Sequence, residues 1–120
     1  MNRDQALQSF WGSFTWPAYE EHTVPDDAKF PYVTYEASSD DFGNTVYLSA
    51  YLWDRSNSWA DILSKANAIA EYISRGGRIV KYDGGAMWIQ KATPWAQRME
   101  EPEDREVRRI GLSISIEYLD

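Results

Sequence analysis

FPYVTYEA (residues 30–37), NTVYLSAYLW (44–53) and SWADILSKANAIAEYISRGG (58–77) follow one another with few residues to spare. The first segment is β-branched and aromatic, so it reads as a strand. Pro31 cannot donate to a ladder, which places it at a strand start or on an edge. In the second, Val46, Leu48, Ala50 and Leu52 alternate with Tyr47, Ser49, Tyr51 and Trp53. Both faces carry bulk, so this strand is expected to be central, one face lying on a helix and the other partly covered. The third segment places Trp59, Ile62, Leu63, Ala66, Ile69, Ala70 and Ile73 on one helical stripe. Ser58 with Asp61 three residues later predicts a capping-box-like start. Gly76, behind the cation Arg75, predicts a left-handed C-terminal cap. Two strands leading into an amphipathic helix fix an architecture and carry no catalytic constellation.

Working outward, Asn2 or Asp4 can cap a first helix on which Leu7, Phe10, Trp11 and Phe14 recur at helical spacing. Gly12 weakens it, and Trp16-Pro17 should end it, because a residue before proline avoids helical geometry. Residues 17–29 read as a polar connection with a turn at Pro25-Asp26-Asp27. Residues 38–44 read as a turn or short flexible loop. After the second helix, Arg78–Tyr82 and Ala86–Ala92 flank Asp83-Gly84-Gly85, a short hairpin connection. Pro94 interrupts the pattern, and residues 100–105 are charged and expected to be exposed. In the last segment Ile110, Leu112, Ile114, Ile116 and Tyr118 share one face, and Arg109, Gly111, Ser113, Ser115 and Glu117 the other. That is a long strand with one buried and one wetter side. The expected fold is therefore α+β in a single domain, 1–120, ordered α-β-β-α-β-β-β. Its sheet is mixed or antiparallel, with about four to five strands and both helices packed on one face.

Composition narrows the function. The chain has 120 residues, enough for one modest core without staples. A net charge of -7 opposes sequence-specific nucleic-acid binding, which needs a basic face, and disfavours anionic lipid. The absence of Cys removes disulfides, thiolate nucleophiles and thiolate metal sites. No apolar run approaches the roughly 20 residues that span a bilayer, and MNRDQALQSF lacks the layout of a secretion signal. A soluble chain made in the cytoplasm is expected. Six Trp and eight Tyr exceed what a small core needs, so some rings are expected at the surface, where Tyr and Trp favour interfaces.

Chemistry-bearing residues are few. His22 is the only histidine, beside Glu20 and Glu21, with no HxH or HExxH partner spacing; a solvated loop residue is expected. Asp40, Asp41 and Asn44 have the oxygen ligands of a hard-cation loop but not its full signature, so a solvated turn is the better reading. Glu100, Glu101, Glu103 and Asp104 cluster around Pro102 and read as a loop tip, whereas hydrolase carboxylate pairs come from facing elements. Asp83-Gly84-Gly85 is too short for a phosphate cradle and precedes a strand. No serine sits in a nucleophile elbow. No enzymatic activity, cofactor or metal is expected. Tyr47, Tyr51, Trp53, Trp88 and Trp95 stay ambiguous between ordinary sheet packing, stacking on a glycan or peptide, and a subunit interface.

The strand FPYVTYEA after a helix and a polar connection resembles the "P-Y-hydrophobic-T" strand of tail terminator and tail-completion proteins of long-tailed bacteriophages, here Pro31, Tyr32, Val33 and Thr34. The following NTVYLSAYLWDRS, running into DILSKANAIAEYI with a corner at Trp53-Asp54, is similar to the same family, as are the hairpin around 83–85 and the long final strand. The resemblance implies a structural virion protein that forms a ring, usually a hexamer, at the head-proximal end of the tail. Such a ring stops tube polymerisation and joins the tail to the head. Its implied partners are further copies of itself, the tail tube protein and a head connector or neck protein, and its implied place is the virion tail or neck, assembled in the host cytoplasm. An acidic lumen would let DNA slide without sticking. Ring contacts are expected through sheet edges, namely the strand led by Pro31 and the hairpin 78–92, and through Trp53, Trp88 and Trp95. Loops 38–44 and 100–106 would face neighbours along the tail axis. The alternative is a small aromatic-rich glycan- or peptide-binding module.

Overall fold

Asn2 caps the first helix, α1 (Arg3–Gly12), by accepting from the Gln5 amide at 2.8 Å, while Gln5 accepts from the Asn2 amide at 2.9 Å. This reciprocal pair satisfies two amides that have no partner within the helix. The helix ends at Gly12, a turn before Pro17, where the Ser13 amide and hydroxyl both donate to the Phe10 carbonyl. The computed structural model describes residues 1–37 and 45–119. The turn expected at residues 38–44, with its cation candidates Asp40, Asp41 and Asn44, lies outside the described residues.

Six strands follow α1: β1 (Ala18–Glu20), β2 (Tyr32–Tyr35), β3 (Thr45–Arg55), then after helix α2 (Ala60–Ile73) β4 (Arg78–Tyr82), β5 (Gly85–Met99) and β6 (Val107–Leu119). They form one sheet in the order β1-β2-β3-β6-β5-β4. The β1–β2 pair is parallel and the other pairs antiparallel, so the sheet is mixed. The fold is α+β with two helices, as expected, but with six strands and one more element before β2 than the expected order allowed.

That extra element is β1, which was expected to be part of a connection. Three residues are too few to show alternation, and pairing with β2 makes the strand. The Val33 amide donates to the Pro17 carbonyl at 2.8 Å and the Glu21 amide to the Tyr35 carbonyl at 2.9 Å. Gln8 of α1 donates to the Ala18 carbonyl at 2.8 Å and accepts from the Tyr35 hydroxyl, fixing β1 from the helix side. Because β1 lies outside β2, the strand led by Pro31 is not a sheet edge.

A second difference concerns Pro94, which does not end β5. Pairing with β6 shifts register between Lys91 and Ala96, so the proline occupies an irregular interval where no ladder donor is required. Beyond that interval β5 continues to Met99. The α2 ends differ too. Trp59 is the N-cap residue, without a side-chain cap bond, and Ser58 Oγ instead accepts from the Ala60 amide at 3.1 Å. Positive φ falls on Ser74 (63°) and Gly77 (82°), not on Gly76.

The core lies between the helices and one sheet face. In register, Leu52 faces Ile110, Ala50 faces Leu112, Leu48 faces Ile114 and Val46 faces Ile116. All eight are buried, together with Ile62, Ala66, Ile69 and Ile73 of α2 and Leu7, Phe10 and Trp11 of α1. Tyr72 of α2 meets Phe10 of α1 at 6.1 Å and stands edge-on to Phe14, just past α1, at 5.2 Å. No helix among the described residues is long and apolar enough to cross a membrane.

Candidate assembly surfaces

Alternation along β3 sends Tyr47, Ser49, Tyr51 and Trp53 to the sheet face that neither helix covers. An aromatic ladder runs across the strands on this open face. Tyr19 of β1 meets Tyr32 of β2 at 6.0 Å, Tyr32 stacks on Trp53 of β3 at 6.1 Å, and Trp53 adjoins Tyr51 at 6.4 Å. Arg109 of β6 lies 5.0 Å from the Trp53 ring and 5.5 Å from the Tyr51 ring. Gly111 lies directly across from Tyr51, and a Cβ there would meet that ring in ordinary contact at 3.4 Å and crowd Met99 Sδ at 3.2 Å. These rings shield one another while keeping a wet side, the arrangement cross-strand aromatics favour. Tyr47, at 73% exposed, stands apart from the ladder.

The three tryptophans expected at an interface do not converge. Trp53 is half-buried in the ladder, and its indole N–H donates to Thr34 Oγ1 at 2.9 Å. Trp88, near the start of β5, donates to the Gly76 carbonyl at 2.8 Å. Trp95 packs partly buried against the main core. Each is committed to a different part of the fold.

The two sides of the sheet differ in charge. Residues 75–98, which form β4 and most of β5, hold Arg75, Arg78, Lys81, Lys91 and Arg98 against the single acid Asp83, and all of these cations are exposed. Residues 18–37, which form β1, β2 and their connection, hold Glu20, Glu21, Asp26, Asp27 and Glu36 against Lys29. Sequence reasoning missed this contrast because it becomes spatial only when the strand order sets the two segments at opposite ends of the sheet. Both β1 and β4 are outer strands, and the cationic side is the more incompletely paired of the two. β4 covers β5 only from Gly85 to Ile89, so residues 90–99 have no outer strand neighbour among the described residues.

His22 is exposed in the acidic connection, with Nδ1 2.7 Å from Glu20 Oε1 and Nε2 3.9 Å from Glu21 Oε1. The hydrogen bond to Glu20 raises its pKa above the ordinary imidazole value, and the same bond holds the Glu20 carboxyl below its ordinary value. Glu20, Glu21 and His22 bring potential ligand atoms within 4.8 Å of one another, the one such grouping among the described residues. Nδ1 is already engaged by Glu20, and the three residues are consecutive where β1 ends in an exposed turn. At the β5–β6 connection Arg55 pairs with Asp104 at 2.7 Å and Glu106 at 3.6 Å. The Asp104 carboxyl is held low, first by the Glu106 amide and then by Arg55. The carboxylates of this tip are thus partly spent on ion pairing and turn formation.

Two clefts flank the N-terminal end of α2. One, of about 450 Å³, lies between Trp59, Met99, Glu101, Arg105 and Arg108, with Arg98 and Arg108 both near the Trp59 ring. The other, of about 400 Å³, opens between Trp16, Pro31, Asp54, Asp61, Ser64 and Lys65. Asp54 is 8% exposed there, and its carboxylate has no hydrogen-bond or ion-pair partner among the described residues. Lys65 is turned away from it, donating to the Phe14 carbonyl at 2.7 Å and Thr15 Oγ1 at 2.9 Å. No family model matches the chain, and neither a curated protein nor a solved structure is detectably similar to it.

Proposed function

We propose that this protein is a structural component of a long-tailed phage particle that acts by self-association into a ring at the head-proximal end of the tail. There it ends tube growth and joins the tail to the head. The observation that carries this reading is the pairing of an unfinished, cationic sheet edge with an acidic opposite side on one small subunit. An unpaired edge is normally blocked, twisted away or covered; β5 from 90 to 99 has no covering strand among the described residues, and its partial blocks, Lys91, Pro94, Arg98 and the register shift, leave a cationic rim. A contact between two different surfaces of one subunit generates a ring when its rotation closes. The elements on which the family resemblance rests are also present: a helix, a strand behind Pro31, a long strand running into α2, a hairpin turning at Asp83-Gly84 and a long final strand.

One observation favours the alternative of a glycan- or peptide-binding module. The ladder of Tyr19, Tyr32, Trp53 and Tyr51 is a half-exposed aromatic platform of the kind that stacks on flat ligands. Much of its area is already spent on ring–ring contacts, which leaves less for a ligand. The test is made in particles. Tails assembled without this protein are expected to be overlong or unable to join heads, scored by electron microscopy. Joined tails of normal length in its absence would overturn the reading.

A further inference from the structure

We infer that the cationic β4–β5 edge of one copy docks against the acidic β1–β2 side of a second copy, head to tail, with the cleft around Asp54 taking up one of the incoming cations. This inference rests on the ring reading and assigns its interface. Charge supplies the first argument. The whole chain carries -7, yet five of its cations are concentrated at the β4–β5 edge of the sheet, where residues 90–99 have no outer strand neighbour among the described residues. Arg75, Arg78, Lys81, Lys91 and Arg98 form no ion pair among the described residues, and neither do Asp26 and Asp27 across the molecule. Two faces of opposite sign on one subunit attract each other between copies, which steers encounter and fixes register.

The second argument is independent of net charge. Asp54 is only 8% exposed and makes no side-chain hydrogen bond or ion pair among the described residues, and its carboxylate oxygens reach the solvent of an open cleft on the acidic side. Closing that cleft over an unpaired carboxylate would be costly, whereas an incoming ammonium or guanidinium would supply Asp54 with the pairing charge. Its cross-strand neighbour Arg108 does not serve: it reaches the Arg105 carbonyl at 2.6 Å and the Trp59 ring instead. Asp61, at the mouth, adds a second carboxylate, and the Trp16 ring forms an apolar wall. On the opposite edge, Arg78, Lys91 and Arg98 occupy positions in register with helix-side core residues Ile89, Ile114 and Ile110. They therefore project on the same side of the sheet as the cleft. Backbone pairing along residues 90–99 can add to this contact wherever a neighbour's strand runs alongside.

The test is a charge exchange read as mass by sedimentation velocity. Variant A carries Lys81→Glu, Lys91→Glu and Arg98→Glu; variant B carries Glu21→Lys, Asp26→Lys and Asp27→Lys. All six positions are exposed, so both variants should keep the parental circular dichroism. Each alone is expected to associate about a hundredfold more weakly than the parent, since like charges then face each other. An equal mixture of A and B is expected to regain parental association, because every contact again joins opposite signs. Asp54→Asn, which keeps the side-chain shape, is expected to weaken association about tenfold. Parental association by A or B alone, or a mixture that stays apart, would overturn the interface while leaving ring formation standing. A parent that stays monomeric at millimolar concentration and low salt would overturn both.

Discussion

Replacing Ile69 with Asp is expected to leave the protein largely unfolded at 25 °C. Ile69 is 0% exposed at the centre of the α2 stripe, in the cluster that joins both helices to β3, β5 and β6. Removing a buried isoleucine side chain down to Cβ costs about 2–5 kcal/mol. An unpaired carboxylate in the same place adds several more unless it takes up a proton or opens the structure to water. A domain of this size holds only about 5–15 kcal/mol in total. Urea unfolding followed by circular dichroism measures the outcome. Asn67→Asp, on the exposed side of the same helix, is the control and should shift stability by less than about half a kcal/mol. If Ile69→Asp melted with the parent, α2 would not lie on the sheet as described.

Gly77→Ala is expected to destabilise by about 2–4 kcal/mol, while the neighbouring Gly76→Ala stays within about half a kcal/mol of the parent. Gly77 has a φ of 82°, where an L side chain is strained. A Cβ there would also run into the Trp88 indole nitrogen, the Ile89 carbonyl at 2.8 Å and Gln90 Cγ at 2.9 Å. Gly76 has no positive φ and nothing within 4 Å of a built Cβ. The close approach exists because α2 must hand the chain to β4 beside β5, and the Trp88 N–H bond to the Gly76 carbonyl closes that corner. Thermal melts give the stability. Trp88 fluorescence reports whether the indole has moved. Equal effects from the two substitutions would contradict the corner geometry.

The strongly periodic elements were legible in the sequence for a physical reason: burial on one face forces a repeat. Val46, Leu48 and Leu52, with Ile110, Leu112, Ile114 and Ile116, line the helix-covered face as their alternation predicts. The α2 stripe, the Asn2 cap and the turn at Asp83-Gly84 follow from equally local signals. The misses came from tertiary context. β1 exists because β2 is beside it, and three residues carry no periodicity. Pro94 is tolerated because it falls where β5 and β6 are already out of register. Ser58 and Asp61 had the spacing of a capping box, but the helix starts after Trp59 and leaves Ser58 to bond Ala60 instead.

The proposed assembly surface was less legible. Counting tryptophans singled out Trp53, Trp88 and Trp95, and the contact each makes within its own subunit depends on the fold and not on the count. Trp53 stacks within its own sheet, Trp88 closes a corner and Trp95 rests on the core. The charge segregation between residues 18–37 and 75–98 stood in the sequence throughout. It acquires meaning only through a strand order that sets β1 and β4 at the two ends of one sheet.

The most direct measurement is the mass of the purified protein in solution, by light scattering from micromolar to millimolar concentration at low and high salt. The subunit is 13.9 kDa. Assembly through complementary edges predicts a limiting mass at a fixed multiple of that value, six being the number the family resemblance implies, with high salt moving the equilibrium back toward the monomer. A mass that stays at one or two subunits across the whole range, at either salt concentration, would contradict it.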